Sequence, residues 1–310
     1  MKKTKIVFMG TPDFAVPVLE GLIEHYDVVM VVSQPDKLVG RKQILTPTPV
    51  KEVALKHQIP VFQPTKIRED FEPIKVLEPD LIITCAYGQI ISEELLNVPK
   101  IGCFNVHASL LPKYRGGSPI HTCLLNGDKK TGVTIMYMDK GMDTGDMVSK
   151  VEYQIQDDDN VGTLHGKLSQ MGATLLLETL PSIISKTNNR VPQDNSEATY
   201  AYNIKREEEK IDFHNNGKKI INQIRGLNPW PMAYFLVNNE EWKALEGYFE
   251  PKENTIPGKV SNIKKDAIGI ECADGIIYFT KVKPFGKKQM FVKDYLNGTK
   301  KEDIVTYQIN

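Results

Sequence analysis

The chain has 310 residues, of which 41% are hydrophobic and 25% are charged, and this is enough for two compact domains with substantial cores. Lys plus Arg and Asp plus Glu both total 39, a balance that argues against a surface coating nucleic acid or an anionic membrane throughout. The longest apolar runs fall far short of the roughly 18 residues that a membrane span needs, and no signal-peptide pattern follows Met1. These features predict a cytoplasmic protein without a membrane partner.

Metal-binding and redox motifs are missing from the sequence. The four cysteines, at positions 85, 103, 123 and 272, include no CxxC pair, and the six histidines include no HExxH pattern. We therefore expect reduced thiols and no metal site, and the chemistry must come from ordinary side chains.

The first part of the chain alternates between strand and helix patterns. The apolar run Lys5–Met9 is followed by the turn residues 10–13 and by apolar residues at helical spacing over 14–23. Further unbroken apolar runs lie at Val28–Val32, Leu81–Ala86, Gly102–His107 and Gly132–Met138, and a leucine-rich helix pattern lies at Thr163–Ile184. Such strands alternating with helices predict a doubly wound, mostly parallel, Rossmann-like α/β sheet.

The pattern of hydrophobic residues changes after a polar stretch. Residues 189–205 are turn-forming and predict a linker between a first domain at 1–188 and a second at 206–310. A short helix pattern at Ile220–Leu227 is followed by alternating segments at Ala233–Val237, Trp242–Tyr248, Gly258–Asn262, Ala267–Cys272 and Gly275–Val282. Several short strands at this spacing predict a small OB-like β-barrel.

The densest functional signal runs from Asn105 to Gly117. On a strand ending at His107, Asn105 and His107 are two residues apart and project from the same face. The loop that follows leaves the carboxyl end of the strand, which is the edge where open α/β sheets bind ligands. A lone histidine at a strand end is more often a hydrogen-bonded core residue, so the functional interpretation depends on the amide two residues earlier and on the acidic loop later in the chain.

An acidic loop, MDKGMDTGD at 138–146, follows the predicted strand Gly132–Met138. Its three aspartates and two glycines have three interpretations. They form a solvated turn, or a magnesium or calcium loop that lacks EF-hand spacing, or they aim one carboxylate at His107 and so hold the ring in one tautomer.

Several segments resemble the folate-dependent formyltransferase family: MGTPDFAVPVLEGL at 9–22, NVHASLLPKYRGGSPI at 105–120 and DKGMDTGDM at 139–147. Downstream, EEEKIDF at 207–213, IRGLNPWP at 224–231 and VKPFGKKQM at 282–290 resemble the second domain of the tRNA-specific members, the methionyl-tRNA formyltransferases. The resemblance covers essentially the whole chain. It implies that the formyl group of 10-formyltetrahydrofolate is transferred to the α-amino group of methionine on initiator methionyl-tRNA, for translation initiation.

The resemblance also implies catalytic roles for Asn105, His107 and Asp143. The substrate amine is itself the nucleophile, and the oxyanion of the tetrahedral centre needs donors, which the Asn105 amide and a His107 N–H can supply. An ordered water held by Asp143 can take the proton from the attacking nitrogen. No enzyme nucleophile is required, in agreement with the absence of a GxSxG elbow.

The same resemblance implies two folate-binding segments. The tetrahydrofolate would lie against Ser109, Leu110, Leu111 and Pro112, and its pterin would lie near the backbone of Ala86, Tyr87, Gly88, Gln89 and Ile90. For the second segment an ordinary strand-ending turn is the alternative. The first turn, Gly10-Thr11-Pro12, lacks the GxGxxG glycines and gives no support for a nicotinamide cofactor.

Two basic regions point to tRNA. Residues 34–51 read as a long loop without regular structure, which in the family engages the acceptor stem; Arg41 matches its key arginine, and Lys42 lies beside it. Residues 259–301 contain ten lysines and four acidic residues, a net charge of +6 that includes the adjacent Lys287 and Lys288. This local excess predicts a phosphate-docking surface, with solvated lysines as the alternative.

Three other functions compete with this one. A formyltransferase acting on a nucleotide-linked amino sugar would share the catalytic segment, but the basic loop and the lysine-rich second domain favour tRNA. A non-catalytic RNA-binding protein would leave Asn105, His107 and Asp143 unexplained, and a hydrolase releasing formate from the folate would not need the long second domain. We expect a monomer.

Overall fold

The computed structural model describes residues 4–40 and 42–309. The chain forms two compact units. The first comprises the chain up to Pro119 together with Lys130–Gln154 and His165–Tyr202; the second comprises Ile120–Lys129, Ile155–Leu164 and the chain from Asn203 onward. Within the described ranges no helix has both the length and the apolar character to cross a membrane.

The first 184 residues contain one strand or helix after another. The strands are β1 (Lys5–Gly10), β2 (Asp27–Val32), β3 (Lys37–Val39), β4 (Ile44–Thr46), β5 (Val61–Phe62), β6 (Leu81–Cys85), β7 (Gly102–His107), β8 (Lys130–Tyr137) and β9 (Met147–Gln154). The helices are α1 (Val16–His25), α2 (Pro49–Lys56), α3 (Glu72–Leu77), α4 (Glu93–Leu96), α5 (Pro119–Leu125) and α6 (Val161–Ile184).

Seven of these strands form the sheet of the first unit, in the order β5-β2-β1-β6-β7-β8-β9. The first five are parallel, and β8 and β9 add two antiparallel strands. β9, which no sequence pattern above predicts, lies at one edge of the sheet, and from Ser149 onward its residues alternate between half-buried and exposed. The predicted doubly wound, mostly parallel sheet is confirmed.

Helices cover both faces of this sheet. On one face, Val7 and Met9 of β1 pack with Ile74 of α3 and Leu95 of α4. On the other face, Gly172 of α6 lies against β7 and β8, where a side chain in its place would come within 2.9 Å of Val106. Because every central strand is covered twice, its residues read as an unbroken apolar run.

The segment 34–51 contains regular structure, so its prediction as an unstructured loop is wrong. β3 and β4 pair as an antiparallel hairpin in which Leu38 lies opposite Leu45. The strands are only three residues long and carry exposed apolar side chains, so they lack the alternating pattern that marks a half-buried strand. Arg41 lies outside the described residues.

The second unit contains α7 (Gly217–Leu227), α8 (Val292–Asn297) and α9 (Lys301–Val305), with β10 (Tyr234–Val237), β11 (Glu240–Pro251), β12 (Val260–Ile263), β13 (Ile268–Cys272), β14 (Gly275–Lys283) and β15 (Met290–Phe291). The strands form an antiparallel half-barrel in the order β10-β11-β14-β13-β12, with β15 beside β14. The core joins Ile220 and Ile224 of α7 to Phe235 and Phe279 of the sheet. The predicted small β-barrel domain is confirmed, as an antiparallel half-barrel sheet.

Candidate active site

Asn105 and His107 lie at the carboxyl end of β7, between the parallel strand β6 and the antiparallel strand β8. The hydroxyl of Thr84 on β6 donates a 2.8 Å hydrogen bond to Oδ1 of Asn105. This bond fixes the orientation of the amide, because Oδ1 is engaged by a donor and Nδ2 must point the other way. The donor end of Asn105 is therefore directed by its neighbour in the sheet.

Asp143 reaches the same place from the loop after β8. Its Oδ1 accepts a 3.4 Å hydrogen bond from Nδ2 of Asn105, and its Oδ2 lies 3.7 Å from Nδ1 of His107. The three side chains that the resemblance singles out are thus brought together by two separate parts of the chain, strand β7 and the loop after β8. Asp143 holds this position with a φ of 54°, in the left-handed region that residues other than glycine rarely adopt.

The other two aspartates of the loop have structural partners. Oδ1 of Asp139 accepts hydrogen bonds from the main-chain N–H of Gly141 and the hydroxyl of Thr144, and Asp146 pairs with Arg190 at 3.0 Å. Of the three interpretations of this loop, the turn describes Asp139 and the carboxylate beside His107 describes Asp143. Among residues 4–40 and 42–309, no group of three or more His, Cys, Asp or Glu side chains is arranged to hold a metal ion.

The ring of His107 is buried and held by a main-chain acceptor. Its Nε2 lies 2.9 Å from the carbonyl oxygen of Tyr114, and because a carbonyl only accepts, Nε2 must carry the hydrogen. The carbonyl of Tyr114 therefore constrains the tautomer of the ring from the side opposite Asp143. Nδ1 is the ring nitrogen that faces Asp143.

Two residues at this site were not identified from the sequence. Thr84 orients Asn105, and Gln193 donates from Nε2 to the carbonyl oxygens of Asp143 and Gly145, at 2.8 Å each. Thr84 lay within a run that reads as buried strand, and Gln193 lay within a polar stretch that reads as linker. Neither pattern carries information about a contact made through the tertiary fold.

The predicted pterin segment, residues 86–90, follows β6. Along it Ala86, Gly88 and Ile90 are exposed, whereas Tyr87 is buried and Gln89 is half-buried. Ala86 and Gly88 both have positive φ, at 47° and 84°, so the chain turns sharply on either side of Tyr87. The result is an open strip of main chain and small side chains that a flat ring could cover.

Tyr87 makes hydrogen bonds through its main-chain carbonyl and none through its side-chain hydroxyl within the described residues. Its carbonyl accepts from the hydroxyl of Thr11 at 3.0 Å and from Nε2 of Gln34 at 3.2 Å. Its own hydroxyl is buried and has no hydrogen-bond partner within the described part of the chain. Burial raises the pKa of this phenol, so the group stays neutral and remains a potential donor.

The other predicted folate segment, residues 109–112, follows His107 at the end of β7. Ser109 and Leu111 are buried, and Leu110 and Pro112 are half-buried. The hydroxyl of Thr134 on β8 donates to the carbonyl of Ser109 at 2.7 Å and accepts from the main-chain N–H of Leu111 at 3.2 Å. The segment is therefore pinned to β8 with Leu110 and Pro112 partly open to solvent.

The predicted tRNA-binding lysines are exposed. In the first unit, Lys42 lies in the turn between β3 and β4. In the second unit, Lys287 and Lys288 lie in the turn between β14 and β15, and Nζ of Lys287 lies 5.1 Å from the ring centre of Tyr295.

The fold reduces the charge excess that the segment 259–301 has in isolation. Strand β11, which lies outside that segment, supplies Glu250 to Lys264 at 2.6 Å and Glu246 to Lys281 at 3.0 Å. Two of the ten lysines are thus neutralised by a neighbouring strand, and the remaining surface is less basic than the count predicts.

Comparisons with known proteins agree with the motifs. The family model described as formyl transferase matches residues 4–180, and the model for the formyl transferase C-terminal domain matches residues 203–300. A methionyl-tRNA formyltransferase of Staphylococcus epidermidis is 50% identical over 298 residues, which cover 95% of this chain and 96% of that protein. One of Bacillus subtilis is 53% identical over 300 residues, which cover 95% of each.

Among solved structures, WlaRD, a sugar 3N-formyl transferase crystallised in the presence of dTDP and 5-N-formyl-THF, superimposes with a TM-score of 0.66. It is 22% identical, and the match covers 93% of this chain and 100% of that one, a likeness that shows the shared fold alone. The resemblance seen in the sequence is confirmed by the family models and by the relatives at half identity: the chain belongs to the formyl transferase family.

Proposed function

We propose that the protein transfers the formyl group of 10-formyltetrahydrofolate to the α-amino group of methionine on initiator methionyl-tRNA. The observation that carries the proposal is the meeting of Asn105, His107 and Asp143 at the carboxyl end of the central sheet. The similarity to methionyl-tRNA formyltransferases over 95% of the chain supports the choice of acceptor.

In the proposed reaction the neutral amine attacks the formyl carbon, forming a C–N bond and an oxyanion. Asn105 is suited to hold that oxyanion, because Thr84 occupies its Oδ1 and one of the two hydrogens on Nδ2 is left after the bond to Asp143. His107 is proposed to act through Nδ1, since Nε2 is bonded to Tyr114.

Collapse of this intermediate needs a proton to move. The attacking nitrogen becomes cationic and loses a proton, and N10 of the folate gains one as its bond to the formyl carbon breaks. Oδ2 of Asp143 accepts a short bond from the main-chain N–H of Gly116 at 2.8 Å, and Oδ1 accepts only the longer 3.4 Å bond from Asn105, so we assign to Oδ1 the water that relays the proton.

Two segments are proposed to hold the folate. The exposed strip formed by Ala86, Gly88 and Ile90 suits the pterin, and the unpartnered hydroxyl of Tyr87 is a buried donor that a ligand could satisfy. Gln89 is already bound to the main-chain N–H of Ile67 at 2.8 Å, so we assign it to holding the strip in place. Residues 109–112 border the remainder of the co-substrate.

The chain segments 1–188, 189–205 and 206–310 are proposed as catalytic domain, connecting segment and tRNA-binding domain. Arg41 and Lys42 are proposed to contact the acceptor end of the tRNA, and Lys287 and Lys288 to contact its phosphates. Exposed lysines beside an aromatic side chain suit a phosphate backbone, which is recognised mainly by charge. We propose further that the enzyme works as a cytoplasmic monomer.

The proposal is tested by incubating the protein with 10-formyltetrahydrofolate and methionyl-tRNA carrying labelled methionine. We expect labelled formylmethionyl-tRNA, and we expect dTDP-linked amino sugars offered in parallel to remain unmodified. Formylation of the sugar in place of the tRNA would overturn the choice of acceptor.

His107→Ala and Asp143→Ala provide the matched site variants for this assay. Each should lower kcat by about 100-fold or more while the Kd for tRNA stays within about twofold of the parent, because neither side chain contacts the tRNA body in the proposed complex. A variant with parental kcat would remove its residue from the mechanism.

A further inference from the structure

Three consecutive residues hold both His107 and Asp143. The carbonyl of Tyr114 accepts from Nε2 of His107 at 2.9 Å, and the N–H of Gly116 donates to Oδ2 of Asp143 at 2.8 Å. Between them, the side chain of Arg115 is only 2% exposed and is the largest fully buried side chain of the described residues. Its burial requires compensation, because a guanidinium that leaves water loses its hydration.

The partners of Arg115 are amide and main-chain groups. Nε and Nη2 both donate to Oε1 of Gln193, at 3.0 and 2.9 Å, and Nη2 also donates to Oδ1 of Asn195 at 2.8 Å. Its main-chain N–H donates to Thr199 at 2.9 Å, and its carbonyl accepts from Ala201 at 2.8 Å. Residues of the stretch 193–201 thus bind both the side chain and the main chain of Arg115 within the first unit.

Gln193 extends these hydrogen bonds to the acidic loop. Its Nε2 donates to the carbonyls of Asp143 and Gly145, at 2.8 Å each. These two bonds fix the loop backbone where Asp143 has its left-handed φ of 54°. Gly145 lies where any side chain would come within 1.9 Å of the carbonyl oxygen of Tyr137, so the loop has little freedom on its other side.

The chemistry of position 193 calls for a primary amide. A carboxylate would accept from Arg115 more strongly, but it has no N–H for the two loop carbonyls. A glutamine accepts with one end and donates with the other, and the charged donor polarises the amide so that its N–H bonds strengthen. The buried cation and the two loop carbonyls together therefore explain why a neutral side chain stands between them.

We propose that Arg115 and Gln193 are positioning residues that set the place of Asp143 for formyl transfer, acting through the backbone of the loop without touching either substrate. The inference rests on the proposed function. A reacting group misplaced by about 1 Å costs on the order of 100-fold in rate, so loss of this pair should appear in kcat and leave substrate binding in place.

Gln193→Glu tests this most sharply. The new carboxylate keeps both bonds from Arg115, so the variant should fold, but it faces two carbonyls with no hydrogen to donate. We expect kcat to fall on the order of 100-fold, with KM for folate and for methionyl-tRNA within about twofold. Amide hydrogen exchange across 139–146 should accelerate by about 10-fold or more.

Asn195→Ala is the matched control. Asn195 is exposed, and its replacement removes one hydrogen bond from Nη2 of Arg115. Both bonds from Gln193 to the loop carbonyls are left intact. Its kcat should stay within about threefold of the parent, and its loop exchange should be unchanged. Arg115→Lys, which keeps the charge but cannot donate from two nitrogens to Gln193, should resemble Gln193→Glu in kinetics and exchange.

A double-mutant cycle shows whether Gln193 acts through Asp143. In an Asp143→Asn background, measured under single turnover with excess enzyme, Gln193→Glu should cost less than about threefold further, because the group it positions is no longer functional. An equal loss in both backgrounds, or parental kcat with unchanged loop exchange in Gln193→Glu, would overturn the inference.

Failure of the proposed function has a different signature. The parent enzyme would then form no formylmethionyl-tRNA, or Asp143→Asn would keep full activity. In that case loop exchange in Gln193→Glu still decides whether Gln193 holds the loop, and unchanged exchange would overturn the inference.

Discussion

Nε2 of His107 and the main-chain carbonyl of Tyr114 lie 2.9 Å apart, and this bond determines which ring nitrogen faces Asp143. Because Nε2 donates to Tyr114, Nδ1 lies on the side of Asp143, at 3.7 Å from its carboxylate. Tyr114 therefore occupies the Nε2 edge of the imidazole and leaves the Nδ1 edge facing Asp143. Asn105, whose amide is oriented by Thr84, is the proposed oxyanion donor of this arrangement.

Asn105→Ala should lower kcat by about 100- to 1000-fold, because one oxyanion donor is lost. Thr84→Val keeps the shape of its side chain but frees the Asn105 amide to rotate, and we expect a smaller loss of about 10-fold. Steady-state kinetics with methionyl-tRNA checks both. Thr179→Val, at a buried threonine that bonds Ser149 at 2.7 Å, is the matched control and should keep parental kcat.

Tyr87→Phe should raise the free energy of unfolding by up to about 1 kcal/mol, because a buried hydroxyl without a partner among the described residues is removed. The same change should weaken folate binding by about 5- to 10-fold if the ligand normally accepts from that hydroxyl. Urea unfolding and folate titration measure the two effects. Higher stability with unchanged affinity would assign the hydroxyl to the core alone.

Tyr137→Phe is the control for that change, because it removes a tyrosine hydroxyl that does have a hydrogen-bond partner. The hydroxyl of Tyr137 accepts from Nδ2 of Asn188 at 2.9 Å, so its removal should lower stability by about 1 kcal/mol. A gain in stability from both substitutions would point to a general preference for phenylalanine and not to the missing partner of Tyr87.

Arg41→Ala should lower kcat/KM for methionyl-tRNA by about 10-fold or more while folate affinity stays constant, because the proposed contact is with the acceptor end. Lys37→Ala, at an exposed lysine of β3, is the control for the loss of one positive charge from the same segment. Equal effects from the two changes would indicate general charge attraction, and an unchanged kcat/KM in Arg41→Ala would assign the segment to the scaffold.

EDTA should leave formylation unchanged, because the proposed mechanism uses an amide, an imidazole and a carboxylate and requires no Lewis acid. The assay uses tRNA whose folding in the chelator has been verified beforehand. Loss of activity in EDTA that is restored when one divalent ion is added to the protein, with tRNA folding unchanged, would contradict this expectation.

The free energy of unfolding should fall at alkaline pH, in part because of Cys103. Burial raises the pKa of this thiol from 9.0 to about 12. Between those values the unfolded chain releases the proton and the folded chain retains it, so the stabilisation is complete below about pH 9 and is lost as pH rises, by about 1.4 kcal/mol per pH unit.

Cys103→Ala removes that titration. The difference in unfolding free energy between parent and variant should therefore shrink as pH rises above about 9. Leu95→Ala, in the same apolar cluster, is the control whose difference should not vary with pH. A constant difference for Cys103→Ala would show that the thiol titrates alike in both states.

Local patterns were sufficient for much of the fold. The unbroken apolar runs that became β1, β6 and β7 are dictated by burial on both faces, and the helix pattern at Thr163–Ile184 lies within α6. Asn105 and His107 could be placed on one face because the period of a strand is two. The hairpin β3–β4 was missed, since its strands are short and exposed and burial imposes no pattern on them.

The sequence by itself therefore determined the family, the order of the elements and the residue types of the candidate site, because these depend on periodicity and on contiguous motifs. Only the tertiary structure decided that Tyr114 engages Nε2 of His107 and that Gln193, fifty residues beyond Asp143, fixes the acidic loop. The first contact joins residues seven positions apart and the second joins residues fifty positions apart, and in neither case does a partner leave a local signal. The physical reason is that a hydrogen bond is set by the distance and direction of its atoms, and for these groups the packing of the sheet and the course of the stretch 193–201 establish both.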